Sequence, residues 1–397
     1  MTKSRLDTIK LRRYRYIVTC KLHHNVGVNL FGYLSYTMKK LLSTLFLLFS
    51  FAIFAQVGGV SSFDFLLLPS DARVAAIGGE NVSTAGHDVN MILYNPASLA
   101  DTMINRIAFN YRPFYTDVNK SAITGVFNTA VGPFGVMFQN MGYGDFVETD
   151  PLGNPIGSFS VNETAIGVTK SNHFGPFSVG GSLKFVYSSI QRYNASALML
   201  DFGTMYHHPK HDLQIGLVAK NIGFSLSKYT EASDQDLPFD LQAGVSYKLE
   251  HMPLRLSITT HHLHQYDIQY LDPTRGVTLG EDGEEVVPTK STSEKIARHF
   301  VFGGEFIFSK NFHARVGYNH LRRKELQSEI RKGGSGFSFG FMVRVNAFEF
   351  NFTRAFYHAI GGTTALTLAT DLNRFIPQRK HKSKSNTSID SNDRVRQ

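Results

Sequence analysis

The sequence predicts an all-β fold, a membrane-spanning antiparallel β-barrel of about fourteen strands with a small N-terminal hatch. Two observations predict this fold. From about residue 103 to residue 375, short segments alternate apolar and polar residues, and the loops between them alternate between short and long. Strands of a membrane barrel alternate lipid-facing and lumen-facing side chains, and such barrels have short turns at one rim and longer loops at the other.

The alternation is clearest near the C-terminus. Phe337, Phe339 and Phe341 share one face of a predicted strand, with Ser338 and Gly340 on the other. A period of two indicates a strand, because successive side chains point to opposite faces. A secreted antiparallel sandwich with one solvated face explains this period equally well. The same period recurs in residues 177–188, 239–248, 348–353 and 365–372.

The loop lengths favour the barrel over the sandwich. Counted from a first strand near residues 107–112, the even-numbered turns are brief, whereas several odd-numbered loops are long. A sandwich has no reason to sort its loops in this way, but only one rim of a membrane barrel is built for contact with the outside. We therefore expect the long loops outside and both ends of the mature chain at the short-turn rim. The long loops are predicted at residues 140–157, 223–237, 265–298 and 321–335.

The N-terminal region predicts export. Met38-Lys39-Lys40 is followed by an apolar stretch that ends at Ala55, which is the pattern of a signal peptide over residues 38–55. The stretch is shorter than the about 20 residues that a spanning helix needs. Because signal peptides begin at the initiator methionine, residues 1–37 are interpreted as a doubtful extension from a misassigned start. A cytoplasmic extension with a signal anchor is the alternative. The predicted location is the cell outer membrane.

The charge of the chain lies mostly at its ends. The formal net charge is +9 over 397 residues, but residues 1–40 carry +8 and residues 379–397 carry +4, which leaves −3 for the rest. The basic balance therefore does not indicate a nucleic-acid partner. Residues 379–397 are interpreted as a solvated, disordered basic tail, with attachment to an anionic surface as the alternative. The single cysteine, Cys20, lies in the doubtful extension, so the body carries no thiol chemistry.

Residues 56–101 differ in texture from the predicted barrel, residues 102–378, and are called the hatch segment below. Two short helical turns are predicted in it. One follows Pro69 and stops at Gly78-Gly79, and the other begins at Asn95, a good N-cap followed by proline. The segment is too small for a domain of its own, so it is predicted to fill the barrel lumen. Arg73 is a candidate for a buried charge paired with the barrel wall; a solvated arginine on a surface helix is the alternative.

Residues of the hatch segment also carry a family resemblance. The strings FLLLPSDAR, AAIGG and NPASL resemble the opening of the PorV/PorQ group of FadL-like outer-membrane barrels. The Asn-Pro-Ala-x-Leu element is shared broadly by FadL-like proteins, whereas the Pro-Ser-x-Ala-Arg-x-Ala-Ala-x-Gly-Gly string is more specific and favours the PorQ branch. The signature residues that carry the resemblance are Pro69, Arg73, Gly78, Gly79, Asp88, Asn95, Pro96, Ala97 and Leu99.

The resemblance implies a non-enzymatic, fourteen-stranded barrel of the type IX secretion system of Bacteroidetes. Its outer loops would hold a surface-exposed, PorZ-like partner. The attachment complex would also contain PorU-like and PorV-like proteins, and it would process secreted cargo and attach it to the cell surface. Outer-membrane lipid would surround the barrel, and no cofactor is implied. The alternative function is that of a FadL-like transporter of hydrophobic small molecules.

Other chemistry in the sequence is weak. Ser225 and Lys228 match the S-x-x-K pattern of penicillin-binding proteins, but neither K-T-G nor S-D-N accompanies them. His262 and His264 would share a strand face and could bind a metal ion, yet no nearby Cys, Asp or Glu completes a site, so polar residues at a wet rim are expected. The acidic residues near Asp282 lack the spacing of a calcium loop. The sequence thus predicts no catalytic, cofactor-binding or metal-binding residue.

Overall fold

The computed structural model describes residues 61–230, 236–269, 278–279, 285–286, 291–326, 333–357 and 361–375. The predicted signal peptide, the doubtful N-terminal extension and the basic tail lie outside these residues. The hatch segment is described from Ser61 onward. Within the described residues, no helix is both long enough and apolar enough to cross a membrane.

Fourteen strands form one closed barrel in which every neighbouring pair is antiparallel. The strands follow one another in chain order, and β1 pairs with β16 to close the sheet. The predicted closed barrel of fourteen strands is therefore confirmed, and the open sandwich is excluded. The barrel strands are β1 (Arg106–Pro113), β2 (Asn119–Thr129), β3 (Gly132–Thr149), β4 (Pro155–Phe174), β5 (Phe177–Ile190), β6 (Tyr193–His207), β7 (Leu213–Ser227), β8 (Asp240–Lys248), β9 (Leu254–Thr260), β12 (Phe300–Ser309), β13 (Phe312–Asn319), β14 (Phe337–Val345), β15 (Phe348–Phe356) and β16 (Gly362–Asp371).

The remaining elements are short. A two-stranded hairpin, β10 (Thr278–Leu279) and β11 (Glu285–Val286), lies in the connection between β9 and β12. The described part of the chain contains the α-helices α1 (Ala72–Ala76), α2 (Thr292–Ala297) and α3 (His320–Glu325). Four 3-10 turns precede β1 and one follows β16: Asp64–Leu67, Val89–Leu93, Pro96–Ser98, Asp101–Met103 and Leu372–Arg374.

The two faces of the barrel wall differ in polarity, as the alternation predicts. In β16, Leu366 and Leu368 are 46% and 39% exposed, whereas Ala365 and Thr367, which alternate with them, are buried. Large apolar side chains likewise point outward along the other barrel strands. An apolar outside with a polar inside is the arrangement of a barrel wall that faces lipid.

The two rims differ in their connections. Residues 130–131, 175–176, 310–311 and 346–347 form tight turns at one rim, the short-turn rim. The opposite rim, the long-loop rim, carries residues 228–239, the β9–β12 connection with α2, and the β13–β14 connection with α3. Not every connection at the long-loop rim is long: the β5–β6 turn consists of residues 191–192 and the β3–β4 connection of residues 150–154.

Two predicted loops are partly strand. In the predicted loop 140–157, β3 continues to Thr149 and β4 begins at Pro155, and Phe146 stacks on Phe159 with ring centroids 5.4 Å apart. In the predicted loop 223–237, β7 continues to Ser227. Strands β3 and β4 have 18 and 20 residues, whereas about 9–11 suffice to cross a bilayer. The loop prediction was wrong there because strand pairing continues beyond the wall height that the other strands share.

A β-bulge interrupts the alternation in β7. Lys220 and Asn221 are consecutive and both buried, and Asn221 has a φ of 60°. The extra residue shifts the register against β6 and exchanges the two faces of the strand, so Leu217 is exposed before the bulge and Ile222 after it. A carboxylate holds the bulge, because Asp201 accepts a hydrogen bond of 2.8 Å from the backbone N–H of Asn221.

The hatch segment enters the barrel from the long-loop rim. Ser61 forms a β-bridge with Asp236, which lies in the β7–β8 connection at that rim. The chain then reaches Arg106, the first residue of β1, at the short-turn rim, where Asp371 of β16 is its partner. Ser61 thus lies at the long-loop rim, whereas both ends of the mature chain are expected at the short-turn rim. The expected start of the mature chain, Gln56, lies outside the described residues.

Candidate functional site

The hatch segment begins its helical part with a capped turn. Asp71 is the N-cap of α1, and its carboxylate accepts a hydrogen bond of 3.0 Å from the N–H of Val74. The helix ends before Gly78 and Gly79, whose φ angles are +104° and +97°. Side chains with a Cβ rarely adopt this left-handed region, so the glycine pair stops the helix where the sequence predicted.

Arg73 and Asp88, two signature residues, lie together and meet the barrel wall. The Arg73 guanidinium is 3.3 Å from the Asp88 carboxylate and 3.0 Å from the Glu305 carboxylate of β12. Glu305 also accepts hydrogen bonds from Arg255 at 3.0 Å and from Arg315 at 2.7 Å. The Arg73 side chain is only 12% exposed, so the structure places it as a buried lumen charge and not on a solvated surface.

The second predicted turn is also a point of attachment. Asn95 caps the turn by accepting a hydrogen bond of 3.0 Å from the N–H of Ala97, and its side-chain amide donates to the Val82 carbonyl at 2.8 Å. The carbonyl of Leu99 accepts a hydrogen bond of 2.6 Å from the hydroxyl of Ser171 in β4. Ala97 and Leu99 are fully buried. These signature residues thus hold the hatch segment to itself and to the wall.

Glycines in the wall make a flat seat for the hatch segment. A Cβ at Gly180 in β5 would lie 2.5 Å from the carbonyl carbon of Pro96, and a Cβ at Gly203 in β6 would collide with the Asn95 side chain. Only a residue without a side chain allows this approach. These residues were not predicted, although glycines at inward positions of alternating strands are a signal. The wall glycines against the hatch segment include Gly135, Gly180, Gly203, Gly216, Gly244, Gly303, Gly317 and Gly340.

Two cations from β1 and β2 bind hatch carbonyls. The Lys120 ammonium donates to the carbonyls of Phe65 and Leu68, both at 2.6 Å, and the Arg112 guanidinium donates to the carbonyl of Pro69 at 3.0 Å. Both side chains are almost completely buried. The contacts of Lys120 and Arg112 with the hatch segment were not predicted either. An inward basic residue in an alternating strand indicates that the inner face is polar, but it does not indicate which group the residue binds.

Apolar contacts also attach the hatch segment to the wall, near both rims. Near the long-loop rim, Phe63, Phe65 and Leu66 form a buried cluster with wall side chains that include Met141 and Met199. Toward the short-turn rim, hatch residues of the Val89–Leu93 turn form a second buried cluster with the wall. The hatch segment therefore occupies the lumen at both levels.

The histidines near the long-loop rim do not form a metal site. The Nδ1 atoms of His261 and His262 are 2.6 Å apart, and the backbone N–H of His262 donates to the Asp240 carboxylate at 2.7 Å. Among the described residues, no group of three or more His, Cys, Asp or Glu side chains is arranged to hold a metal ion. Burial and the neighbouring His262 lower the pKa of His261 to about 3, so its imidazole stays neutral.

The S-x-x-K match has no catalytic setting. Ser225 lies in β7, a strand, whereas the motif requires a helix that presents serine and lysine on one face. The prediction that Ser225 lies in an outer loop is wrong, because β7 extends to Ser227 and includes it. Asp282 and Glu284 of the acidic loop lie outside the described residues.

Comparisons with known proteins give only architectural likeness. No known family profile matches the sequence, and no curated protein matches it. Among solved structures, the toluene transporter TbuX of Ralstonia pickettii has 11% identity and a TM-score of 0.45, covering 77% of this chain and 98% of its own. A mutant of the monoaromatic hydrocarbon channel TodX has 11% identity and a TM-score of 0.42, covering 76% and 98%. The porin KdgM has 10% identity and a TM-score of 0.28, covering 67% and 98%.

These values are too low to transfer a function. The class of protein is defined by the chain's own geometry, which is a fourteen-stranded antiparallel barrel with an apolar outside, closed around an N-terminal hatch. Barrels of this kind resemble outer-membrane proteins.

Proposed function

We propose that this chain is a PorQ-type barrel of the type IX secretion system, located in the outer membrane and acting without catalysis. Its long-loop rim anchors a surface-exposed, PorZ-like protein in a complex with PorU-like and PorV-like proteins. The observation that supports the proposal is the hatch segment, which is hydrogen-bonded to the wall and fills the lumen. The long-loop rim is then the surface on which a partner can bind.

The hatch segment is attached on several sides of the wall, which supports a static role. The Arg73 group binds β12, Asn95 and Pro96 lie against β5 and β6, and Lys120 holds the segment from β2. Each buried hydrogen bond contributes about 0.5–1.5 kcal/mol, and those to charged groups contribute more. Releasing the whole segment to open a path for solutes would break many of these bonds at once.

Among the described residues of the long-loop rim, ion pairs join separate connections, which suits a docking surface. Glu294 of α2 is 3.2 Å from Lys324 of α3, and Arg298 is 3.7 Å from Glu325, so two ion pairs join these connections. Within the β9–β12 connection, Lys295 is 2.6 Å from Asp267. Exposed pairs of this kind stabilise weakly, at roughly 0–1 kcal/mol each.

The transporter alternative requires the opposite behaviour of the hatch segment. A transporter of hydrophobic small molecules has to move this segment or open a path beside it during each passage. Anchoring requires that the segment stay in place while the rim holds its partner. The two functions therefore differ in whether locking the hatch segment to the wall abolishes activity.

The experiment that tests anchoring is affinity purification of the tagged chain from detergent-solubilised outer membranes, followed by mass spectrometry. A variant with residues 228–239 replaced by a short Gly-Ser linker removes part of the long-loop rim, and the same replacement at residues 208–212 is the short-turn control. We expect a PorZ-like protein with the wild type and the control, and its loss with the rim variant. Recovery of the chain alone in all three preparations would contradict the proposal.

A further inference from the structure

Two arginines and one tyrosine meet just inside the long-loop rim. The guanidinium carbon of Arg112, near the end of β1, lies 4.8 Å from the ring centroid of Tyr357, the residue after β15. The guanidinium carbon of Arg322 in α3 lies 4.1 Å from the same centroid. Three separate elements therefore bring two cations to one aromatic ring.

Among the described residues, neither cation forms an ion pair, and the Glu80 carboxylate acts on Arg322 only from beyond ion-pair distance. No ion pair of the described chain includes Arg112 or Arg322, and the hydrogen bonds of Arg112 go to neutral acceptors, the Pro69 carbonyl and the Thr363 hydroxyl. Burying a guanidinium without a counter-charge is expensive, and two side by side also repel each other. The arrangement is stable only if something offsets the charge.

Three buried polar atoms at this place are also unused. The Nε of Arg112, the Nη1 of Arg322 and the hydroxyl of Tyr357 are buried and lack a hydrogen-bond partner. Buried polar groups in proteins are rarely left unpaired, so this concentration indicates a missing acceptor.

We propose that Arg112, Arg322 and Tyr357, together the rim anion site, bind a phosphate monoester or free phosphate. A tetrahedral oxyanion offers enough oxygens for donors that come from three residues, whereas a carboxylate offers two. The Nε of Arg112 and the Nη1 of Arg322 are free to donate while both guanidiniums lie against the Tyr357 ring, which suits arginine recognition of phosphate. Because Arg112 also holds Pro69 and Arg322 belongs to α3, the ligand would couple the hatch segment to the rim.

The test uses the full chain, purified in detergent and phosphate-free buffer, with inorganic phosphate as the probe. Thermal unfolding is compared in phosphate and in chloride at equal ionic strength. Saturating phosphate should raise the Tm of the wild type by about 5 °C and leave that of Arg322→Gln unchanged. Lys324→Gln removes a charge from the same helix, where Lys324 pairs with Glu294, so it should respond like the wild type. Tyr357→Phe provides a second variant that keeps the ring and should weaken the response.

A phosphorus assay of the purified protein distinguishes the two sources of the ligand. A lipid headgroup predicts about one equivalent of organic phosphorus on the wild type, absent from Arg322→Gln, with a response to phosphate only after delipidation. Free phosphate predicts no bound organic phosphorus and a direct response. The proposal is overturned if the wild type neither carries phosphorus nor responds to phosphate, or if Arg322→Gln responds as the wild type does.

Discussion

Arg73 of the hatch segment and Glu305 of β12 lie 232 positions apart in the sequence, yet their charged groups are 3.0 Å apart inside the barrel. Glu305 is at the same time the acceptor for Arg255 and Arg315. One carboxylate thus neutralises cations of the hatch segment and of the wall. Asp88 pairs with Arg73 within the hatch segment, whereas the contact with Glu305 forms only when the segment lies in the lumen. The Glu305 contact therefore favours the plugged state.

The two ends of this contact should differ in importance. Replacing Glu305 with glutamine removes the carboxylate that Arg73, Arg255 and Arg315 share. Among the described residues, the buried Arg315 then has no ion-pair partner, so Glu305→Gln should lower the free energy of unfolding by about 3–5 kcal/mol. Arg73→Gln leaves Glu305 with two partners and should cost about 1–3 kcal/mol. Denaturant unfolding in detergent measures both. Arg354→Gln, whose arginine donates to Thr364 and does not touch the hatch segment, is the control. Equal effects in all three variants would refute the role of this contact.

Two adjacent glycines in β5 test the seat of the hatch segment. A Cβ at Gly180 meets the Pro96 backbone at 2.5 Å, whereas a Cβ at Gly181 has nothing closer than the Asp201 carbonyl at 3.7 Å. Gly180→Ala should therefore displace the Asn95–Pro96 turn and cost about 1–3 kcal/mol, with faster proteolysis of the hatch segment. Gly181→Ala should behave like the wild type. Equal protection of the hatch segment in both variants would show that the close approach does not matter.

Acidification should loosen the rim around His261. The pKa of His261 in the folded chain is about 3, below the usual value of about 6.5. The open form therefore binds the proton more tightly, and the free energy of opening falls as the pH drops below about 6.5. At pH 4.5 the loss amounts to about 2–3 kcal/mol. Hydrogen exchange of residues 261–267, corrected for intrinsic rates, measures this change.

A matched pair of variants assigns that pH dependence. His261→Asn should reduce it, while His211→Asn, which changes an exposed histidine at the short-turn rim, should leave it intact. If His261→Asn opens with the same pH dependence as the wild type, another group controls the rim.

Protease treatment of intact cells tests the orientation of the barrel. Lys228 lies in the β7–β8 connection at the long-loop rim, and Lys210 and Lys310 lie in turns at the short-turn rim; all three are exposed. Trypsin should cut after Lys228 in intact cells and reach Lys210 and Lys310 only after the outer membrane is permeabilised. Peptide mass spectrometry identifies the cuts. Cleavage at the two short-turn sites first would reverse the orientation.

The barrel could be predicted because the patterns that indicate it lie in consecutive residues. The alternation of Phe337, Phe339 and Phe341 with smaller residues shows which side of the strand faces outward, and loop lengths follow directly from the sequence. The β7 bulge was missed, although the apolar positions do change parity between Leu217 and Ile222. The overhang of β3 and β4 was missed because a strand that continues past the membrane and a polar loop have similar compositions.

The site was less predictable, because its contacts are between distant residues. The capping by Asp71 and the stop at Gly78-Gly79 follow from local rules. Other contacts depend on which strand lies opposite the hatch segment. They are the ion pair of Arg73, the close approach at Gly180 and the hydrogen bonds of Lys120. That choice is made by closure of the barrel, which no local pattern encodes.

The most direct test of the account is size-exclusion chromatography of the complex solubilised from outer membranes, with a hatch locked to the wall. A cysteine pair in place of Ser83 and Ser246, whose hydroxyl oxygens lie 2.7 Å apart between the hatch segment and β8, would lock it. If anchoring is the function, the locked chain co-elutes with its surface partner as the wild type does. If the locked chain loses its partner or the cells lose uptake of a hydrophobic compound, the hatch segment must move, and a static anchor is contradicted.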